Sequence, residues 1–466
     1  MWNTTSIRAQ VKSLLSEIAP TTPKLHQNRS IPPNPQLSPT ATLLLRLRSR
    51  LTVQAISARF ALRCCVPDEP ISSRGTPPRL ARECLLIMGR PVMDDRPPTT
   101  HPNLRVSVVV PAHNAAHDLK RCLVAIRAGD RTPDELIVVD DGSTDATSDV
   151  ATQHGARVVR HHRALGPSAA RNTGAQAASG DLLAFFDADV IPHRDALARA
   201  VAHLERHPEI DGVFGSYDDH PEAVGLLSRF RNLWHHHIHH RGEFDAEGAR
   251  PASTFWTGVG VLRRARFLEL GGFDARRYPR PSIEDIEFGY RLTDQGGRLQ
   301  LMPAIQATHL KRWTLFDTIR TDIFKRGVPW LILLRSRTAP QTDLNLDPRQ
   351  KWAAALVAAG VACLPATFWY PGFALGFALT TFVIVLINKS FFQLAARRFG
   401  LGFALGCVPC LLVYYGCCLA SVPIAWLVIR WAGIDTRLRP IPIATIPAPH
   451  QPTGTRQWVE PPHATR

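Results

Sequence analysis

The stretch Val106-Ser-Val-Val-Val-Pro-Ala-His-Asn114 is a short apolar run that breaks at Pro111 into a polar loop. Runs like this one, followed by an amphipathic segment, mark a parallel strand covered by helices on both faces. The pattern recurs along the chain. Strands are predicted at 106–110, 135–139, 157–159 and 182–186, and helices at 115–127, 146–154 and 168–178 between them. Gly155 and Gly180 stand where helices should be capped, and Pro167 stands where one should begin. The fold class is therefore α/β, of a Rossmann-like nucleotide-binding kind in which ligands collect at the carboxyl ends of the strands.

Those strand ends carry the polar groups. Pro111, Ala112, His113 and Asn114 follow the first strand, Asp140-Asp-Gly-Ser-Thr-Asp145 follows the second, and Asp187-Ala-Asp189 follows the strand at 182–186. Paired carboxylates at a strand end suit a nucleotide diphosphate, because a divalent cation bridges carboxylate and phosphate oxygens. Asp187 and Asp189 fit that role. The segment from Gly166 to Asn172 opens a helix whose unpaired N–H groups attract an anion, so Arg171, about one turn in, is expected to contact a pyrophosphate.

Outside this half the chain changes character twice. Residues 1–100 are basic and rich in Pro and Ser, without a secretory signal, a membrane-length apolar run or a nucleic-acid-binding signature. They read as a disordered leader, and Met88 and Met93 offer later starts. Across 350–433 lie apolar stretches at 352–370, 372–387 and 403–431, matching the ~20 residues a helix needs to cross a bilayer. Three or four crossings are compatible with them. Lys351, Lys389, Arg397 and Arg398 flank these stretches and would keep the α/β half in the cytoplasm, with the protein integral to the cell or inner membrane. Residues 434–466 form a Pro-rich tail, expected to be disordered.

The formal charge of +16 calls for an anionic partner. Nine cysteines show no disulfide rhythm, which fits a reducing compartment, and Cys407-x-x-Cys410 sits in surroundings too apolar for a zinc site. The run His235-His-His-Ile-His-His240 reads as a helix near a substrate entrance or a solvated face rather than a metal site.

Taken together, Val106 to Asn114, Val139 to Asp145, Ala170-Arg-Asn-Thr-Gly174 and Phe186-Asp-Ala-Asp189 resemble the family 2 glycosyltransferases of the GT-A fold, over about 105–330. The resemblance implies a GT-A domain at 104–330, followed by C-terminal transmembrane helices. It implies that the Pro111–Asn114 loop and Asp141 hold the nucleobase, with Asp140 beside it, that Asp187 serves the ribose side and that Asp189 ligates Mn²⁺ or Mg²⁺. The segments Thr257-Gly-Val-Gly-Val-Leu-Arg-Arg264 and Gly271-Gly-Phe-Asp274, with Gly258 and Gly272, look like the family's acceptor-side strand and loop. Ser282-Ile-Glu-Asp285 resembles its catalytic Glu-Asp pair, making Asp285 the base and Glu284 its neighbour.

Processive members carry Gln-x-x-Arg-Trp after the base, whereas this chain has His309-Leu-Lys-Arg-Trp313. Arg312 and Lys311 are expected near phosphate and Trp313 at the acceptor, unless this stretch only begins an interfacial helix. The leading expectation is an inverting, metal-dependent transfer of sugar from a nucleotide-sugar to a lipid or membrane-proximal glycan of the cell envelope, with no nucleic-acid partner. A processive polysaccharide synthase is the alternative enzyme. Nucleotidyl transfer lacks its Gly-rich phosphate loop here, and a non-catalytic protein binding anionic lipid or nucleic acid leaves the aspartates unexplained.

Overall fold

The computed structural model describes residues 103–335 and 347–432. The leader at 1–100 and the tail at 434–466 lie outside them. A nine-stranded mixed sheet organises the first part, in the order β3-β2-β1-β4-β8-β6-β9-β5, with β7 pairing to β9.

Its parallel portion is β1 (Val106–Ala112), β2 (Glu135–Asp140), β3 (Arg157–Arg160) and β4 (Leu182–Phe186). Helices α1 (Ala116–Arg127), α2 (Thr147–Gln153) and α3 (Pro167–Ala177) make the crossovers. The continuous apolar runs have a direct cause. Val106, Val108, Val110, Leu182 and Ala184 bury into one core, while Val109, Leu183 and Phe185 bury into the other. With both faces covered, both sets of alternate residues in β1 and β4 are nearly all apolar, and the exception, Ser107, is buried with its hydroxyl donating to Glu135 Oε2 at 2.7 Å.

Beyond β4 come β5 (Val190–Pro192), α4 (Ala196–Arg206), β6 (Gly212–Tyr217), α5 (Leu226–His239), β7 (Arg250–Ala252), β8 (Val259–Arg263), α6 (Arg264–Glu269), α7 (Glu284–Asp294) and β9 (Leu299–His309). Strand β8 runs antiparallel between β4 and β6, turning the sheet from parallel to mixed. Strand β9 lies parallel to β6 and carries its last residue, His309, opposite Val190 of β5. A long-range pairing thus returns residue 309 to the carboxyl end of β4.

The chain continues through α8 (Leu315–Arg320), a π-helical turn (Thr321–Gly327) and α9 (Val328–Arg335). Then come α10 (Pro348–Ala366), α11 (Phe373–Ile387) and α12 (Lys389–Ala432). Helix α12 is two helices joined at Gly400, whose φ of 84° breaks the helical path. Among the described residues α12 is the one helix long and apolar enough to cross a bilayer by length and composition, and α11 is a shorter apolar helix. These helices dock on the α/β part. Phe230, Leu233, Trp234 and Ile238 of α5 share a core with Phe391, Cys407, Leu411 and Tyr415. Ile323 and Val328 share another with Cys417, Ala425 and Val428. Cys407 and Cys410 are free thiols.

Candidate active site

A cavity of about 580 Å³ opens at the carboxyl ends of β1, β2 and β4. On one side the loops after β1 and β2 are stitched together. Asn114, in the left-handed region at φ 49°, donates its N–H to Ser143 Oγ at 2.9 Å and accepts from the Thr144 N–H at 2.8 Å. His113 Nδ1 lies 2.9 Å from the Asp141 carbonyl.

The two acids after β2 play different parts. Asp140 is fully buried, accepts from the Ser143 N–H at 2.8 Å and from the Ser148 hydroxyl, and lies outside the cavity wall. It shapes the turn. Asp141 lines the cavity and accepts from the N–H groups of Leu165 and Gly166 at 2.8 and 2.7 Å, with His161 Nδ1 at 2.7 Å. Burial alone would raise its pKa, but His161 and the two amides outweigh that and hold it below the usual carboxylate range. Gly166 has a φ of 94°, and a Cβ there would stand 2.1 Å from the Pro279 carbonyl oxygen. Only glycine lets this loop reach Asp141.

Arg171, on α3, joins the two sides. Its Nη2 donates to Asp187 Oδ1 at 2.6 Å and its Nη1 to Glu284 Oε1 at 2.9 Å, and the side chain is almost fully enclosed. Asp187 and Asp189, at the end of β4, are partly exposed to the cavity. Asp189 Oδ2 lies 3.6 Å from His309 Nε2. Burial disfavours the Asp189 carboxylate, yet His309 and the charge of Lys311 prevail and lower its pKa. The His309 ring stacks on Tyr217 at 4.2 Å, with 9° between the planes.

Facing this set, α7 begins with Glu284 and Asp285. Glu284 accepts from the Ser282 N–H at 2.9 Å as well as from Arg171. Asp285 accepts from the Ile286 N–H at 2.8 Å and, weakly, from the Thr257 N–H at 3.4 Å, and it reaches the cavity. Enclosure by protein, followed by the charge of Glu284, pushes its pKa up to about 7, against the opposing pull of Arg171. Such a carboxylate is a proton acceptor matched to neutral pH.

Other residues singled out in the sequence fall elsewhere. Gly258 packs against the Trp256 ring and Gly272 against Asn172, so both are close-packing positions outside the cavity wall. Arg312 is exposed and also off the wall, while Trp313 lines it, its ring lying 4.0 Å from the Arg231 guanidinium and 4.5 Å from Lys311 Nζ.

The histidine run is not a solvated face. His236 and His239 turn Nδ1 to the Tyr217 and Gly215 carbonyls at 2.9 and 2.8 Å. Burial lowers His237 to about 4 and His239 to about 3, so these rings are neutral. His235 and His239 line the cavity, in keeping with the entrance alternative, as do Tyr217, Trp256, Lys325 and Arg326, which local sequence did not place there. The last two come from the π-helical turn, whose irregular winding no periodicity announces. That turn is held by Asp322, paired twice with Arg231 of α5 at 2.7 and 2.9 Å.

Residues 107–267 match the family model described as glycosyl transferase family 2. The pre-mycofactocin glycosyltransferase of Mycobacterium tuberculosis is 31% identical over 263 residues, 55% of this chain and 53% of that protein. The validoxylamine A glucosyltransferase of Streptomyces hygroscopicus subsp. limoneus is 32% identical over 226 residues, 42% of this chain and 49% of that protein. The chain thus spans about half the length of these curated relatives. Among solved structures, the mannosyltransferase PcManGT from Pyrobaculum calidifontis, in complex with GDP-Man and Mn²⁺, aligns with a TM-score of 0.44 at 19% identity, over 71% of this chain and 88% of that one. The matched segment lies within the α/β part and is similar to glycosyl transferase family 2, the family that the motifs resemble.

Proposed function

We propose that the protein transfers a sugar, with inversion, from a nucleotide-diphosphate-sugar to an acceptor hydroxyl at a membrane surface. The observation that carries this reading is the facing arrangement of Asp187 and Asp189 against Asp285, with Arg171 between. The nucleoside would lie over the Pro111–Asn114 loop and Asp141.

Asp187 and Asp189, with His309 beside them, offer carboxylate oxygens and an imidazole open to the cavity, a donor set suited to Mn²⁺ or Mg²⁺. When bound there, such an ion supplies positive charge to the diphosphate. Arg171 adds a fixed cation nearby. Asp285 takes the proton of the acceptor hydroxyl as its oxygen bonds to the anomeric carbon. The bond from that carbon to the phosphate oxygen breaks on the opposite face, and the nucleoside diphosphate leaves. Glu284 sets the charge around the base and Trp313 walls the acceptor side.

The C-terminal helices support membrane attachment. Phe368, Trp369, Leu375, Leu401 and Trp431 are each more than two-thirds exposed, an arrangement unfavourable in water and favourable in lipid. Helix α8 adds exposed Leu315 and Phe316 next to the cavity residues Lys311 and Trp313. A lipid or a membrane-proximal glycan could thus reach Asp285 from the bilayer surface, with the α/β part in the cytoplasm. Replacement of the Gln of the processive motif by His309, directed at Asp189, favours single transfers over polymer synthesis.

The test is nucleotide release by detergent-purified protein across a panel of nucleotide-sugars plus membrane lipid extract, with and without Mn²⁺ or Mg²⁺. Donor-selective, metal-dependent turnover that Asp189→Asn abolishes is expected. Turnover indifferent to metal and to Asp189→Asn would overturn the reading.

A further inference from the structure

Away from the cavity, three side chains meet at the end of α4. His203 in its last turn and His207 immediately after it lie four residues apart on one face, their ring centres 4.6 Å apart. Glu247 comes to them from a tight turn before β7, in which Asp245 Oδ1 accepts from the Glu247 and Ala249 N–H groups, each at 2.9 Å. Glu247 Oε2 lies 3.2 Å from His203 Nδ1 and 3.1 Å from His207 Nε2.

The opposite ring nitrogens are also engaged. His203 Nε2 lies 2.5 Å from Gln300 Oε1, and His207 Nδ1 lies 3.4 Å from Glu209 Oε1. Gln300 Oε1 takes the Nε2 proton of His203 and so turns that ring's Nδ1 lone pair toward Glu247, while His207 Nε2 hydrogen-bonds both Glu247 oxygens, at 3.2 and 3.1 Å. His203 Nδ1 is buried and has no hydrogen-bond partner. A lone pair facing a carboxylate oxygen at 3.2 Å is unfavourable unless a cation sits between them.

We propose that His203, His207 and Glu247 form a second metal site, for Zn²⁺ or a similar borderline transition ion, distinct from the Asp187–Asp189 centre. A tetrahedral zinc with bonds of about 2.0–2.1 Å separates its ligand atoms by about 3.3 Å; Glu247 Oε2 stands 3.2 and 3.1 Å from the two imidazole nitrogens, and the three ligand atoms all lie within 4.8 Å of one another. The outer acceptor Gln300 Oε1 fixes the His203 tautomer as metal-bound histidines require, and Glu209 stands 3.4 Å from the outer nitrogen of His207. The three ligands span the buried, half-buried and exposed ranges, which leaves the fourth position to water. Bound there, the ion ties the end of α4 to the turn before β7, a structural clip far from the chemistry. Arg206 Nη1, 2.5 Å from the same Glu247 oxygen, is its competitor, and this half-exposed side chain can swing into solvent.

The test uses full-length protein purified in detergent through a histidine-free tag, stripped with chelator and titrated with Zn²⁺ in excess Mg²⁺. Expected are one tight zinc per chain and a visible absorption band of tetrahedral Co²⁺ on substitution. His207→Gln and Glu247→Gln should each weaken zinc at least ~10-fold, while Asp189→Asn should leave it unchanged. Arg206→Gln, which removes the competing cation, should tighten it. Glu247→Gln and Arg206→Gln lie at exposed positions and test the site even if His207→Gln fails to fold. Absence of stoichiometric zinc, or affinities equal in wild type and both ligand variants, would overturn the proposal.

Discussion

On the side of the cavity proposed for the donor, the polar groups hang from the ends of β1, β2 and β4, each within a few residues of a buried, mostly apolar strand. On the acceptor side they come from the start of α7, the end of β9, one face of α5 and the π-helical turn, elements up to about a hundred residues apart. The first side is held by backbone amides donating to Asp140 and Asp141, the second by side-chain pairs and ring stacking. A side of the first kind tolerates distant change. One of the second kind transmits it, including change that begins in the helices docked behind α5.

The largest expected effect separates the two sides. Asp285→Asn should lower kcat by about 10²–10⁴-fold, the usual worth of a positioned base. Nucleotide affinity, measured by calorimetry with Mn²⁺ present, should be unchanged, since Asp285 touches nothing on the donor loops. A matching loss of affinity would join what the geometry divides.

Next in size is Asp322→Ala. Both partners of the Arg231 pair are at least nine-tenths enclosed, so the variant leaves a buried guanidinium without its acid, a loss of about 3 kcal/mol. Thermal unfolding in detergent should show the drop. Because Lys325 and Arg326 ride on the same turn, acceptor KM should rise while donor KM holds.

The same contrast explains what could be read in advance. Strands β1, β2 and β4 and their loops were legible because a parallel strand buried on both faces is almost continuously apolar, and its polar end then stands out. The expected strand at 182–186 is β4 to the residue. Asp140 and Asp141 looked equivalent, since only the turn geometry assigns one to scaffolding and the other to the cavity. For Gly258, Gly272 and Arg312, motif position marks the residue but packing decides which side it faces, and all three lie off the cavity wall. His309 was noticed as the residue standing where glutamine is usual, yet its nearness to Asp189 depends on β9 pairing with β5. The apolar stretch at 403–431 was legible as membrane-length, and the break at Gly400 before it was not.

A third prediction tests the donor side by itself. Asp141→Asn keeps the shape but removes the charge that accepts from Leu165 and Gly166 and faces His161. Charge-assisted bonds of this kind contribute about 1.5–3 kcal/mol, so donor affinity should fall roughly 10- to 100-fold as the loop loosens. Asp285 should still titrate as before, readable in the pH profile of kcat at saturating donor.

The smallest expected effect is the most discriminating. Glu284→Gln removes the negative charge beside Asp285, one of the causes that push the base up to about 7, and leaves Arg171 to act on Asp285 with less compensation. Both changes favour the carboxylate. The wild-type kcat/KM should rise with pH through about 7 as Asp285 loses its proton, and in Glu284→Gln this acid limb should move to lower pH. Stability follows the opposite sense. A carboxyl whose folded pKa lies above its unfolded value of 3.8 binds an extra proton when folded, so wild-type stability should decline as pH climbs from about 4 to about 7, and less so in the variant. Were Glu284 only a cap for α7, through its bond from the Ser282 N–H, the variant would lose stability at every pH and leave the limb in place. A limb that stays at neutral pH would therefore reassign Glu284 to structure.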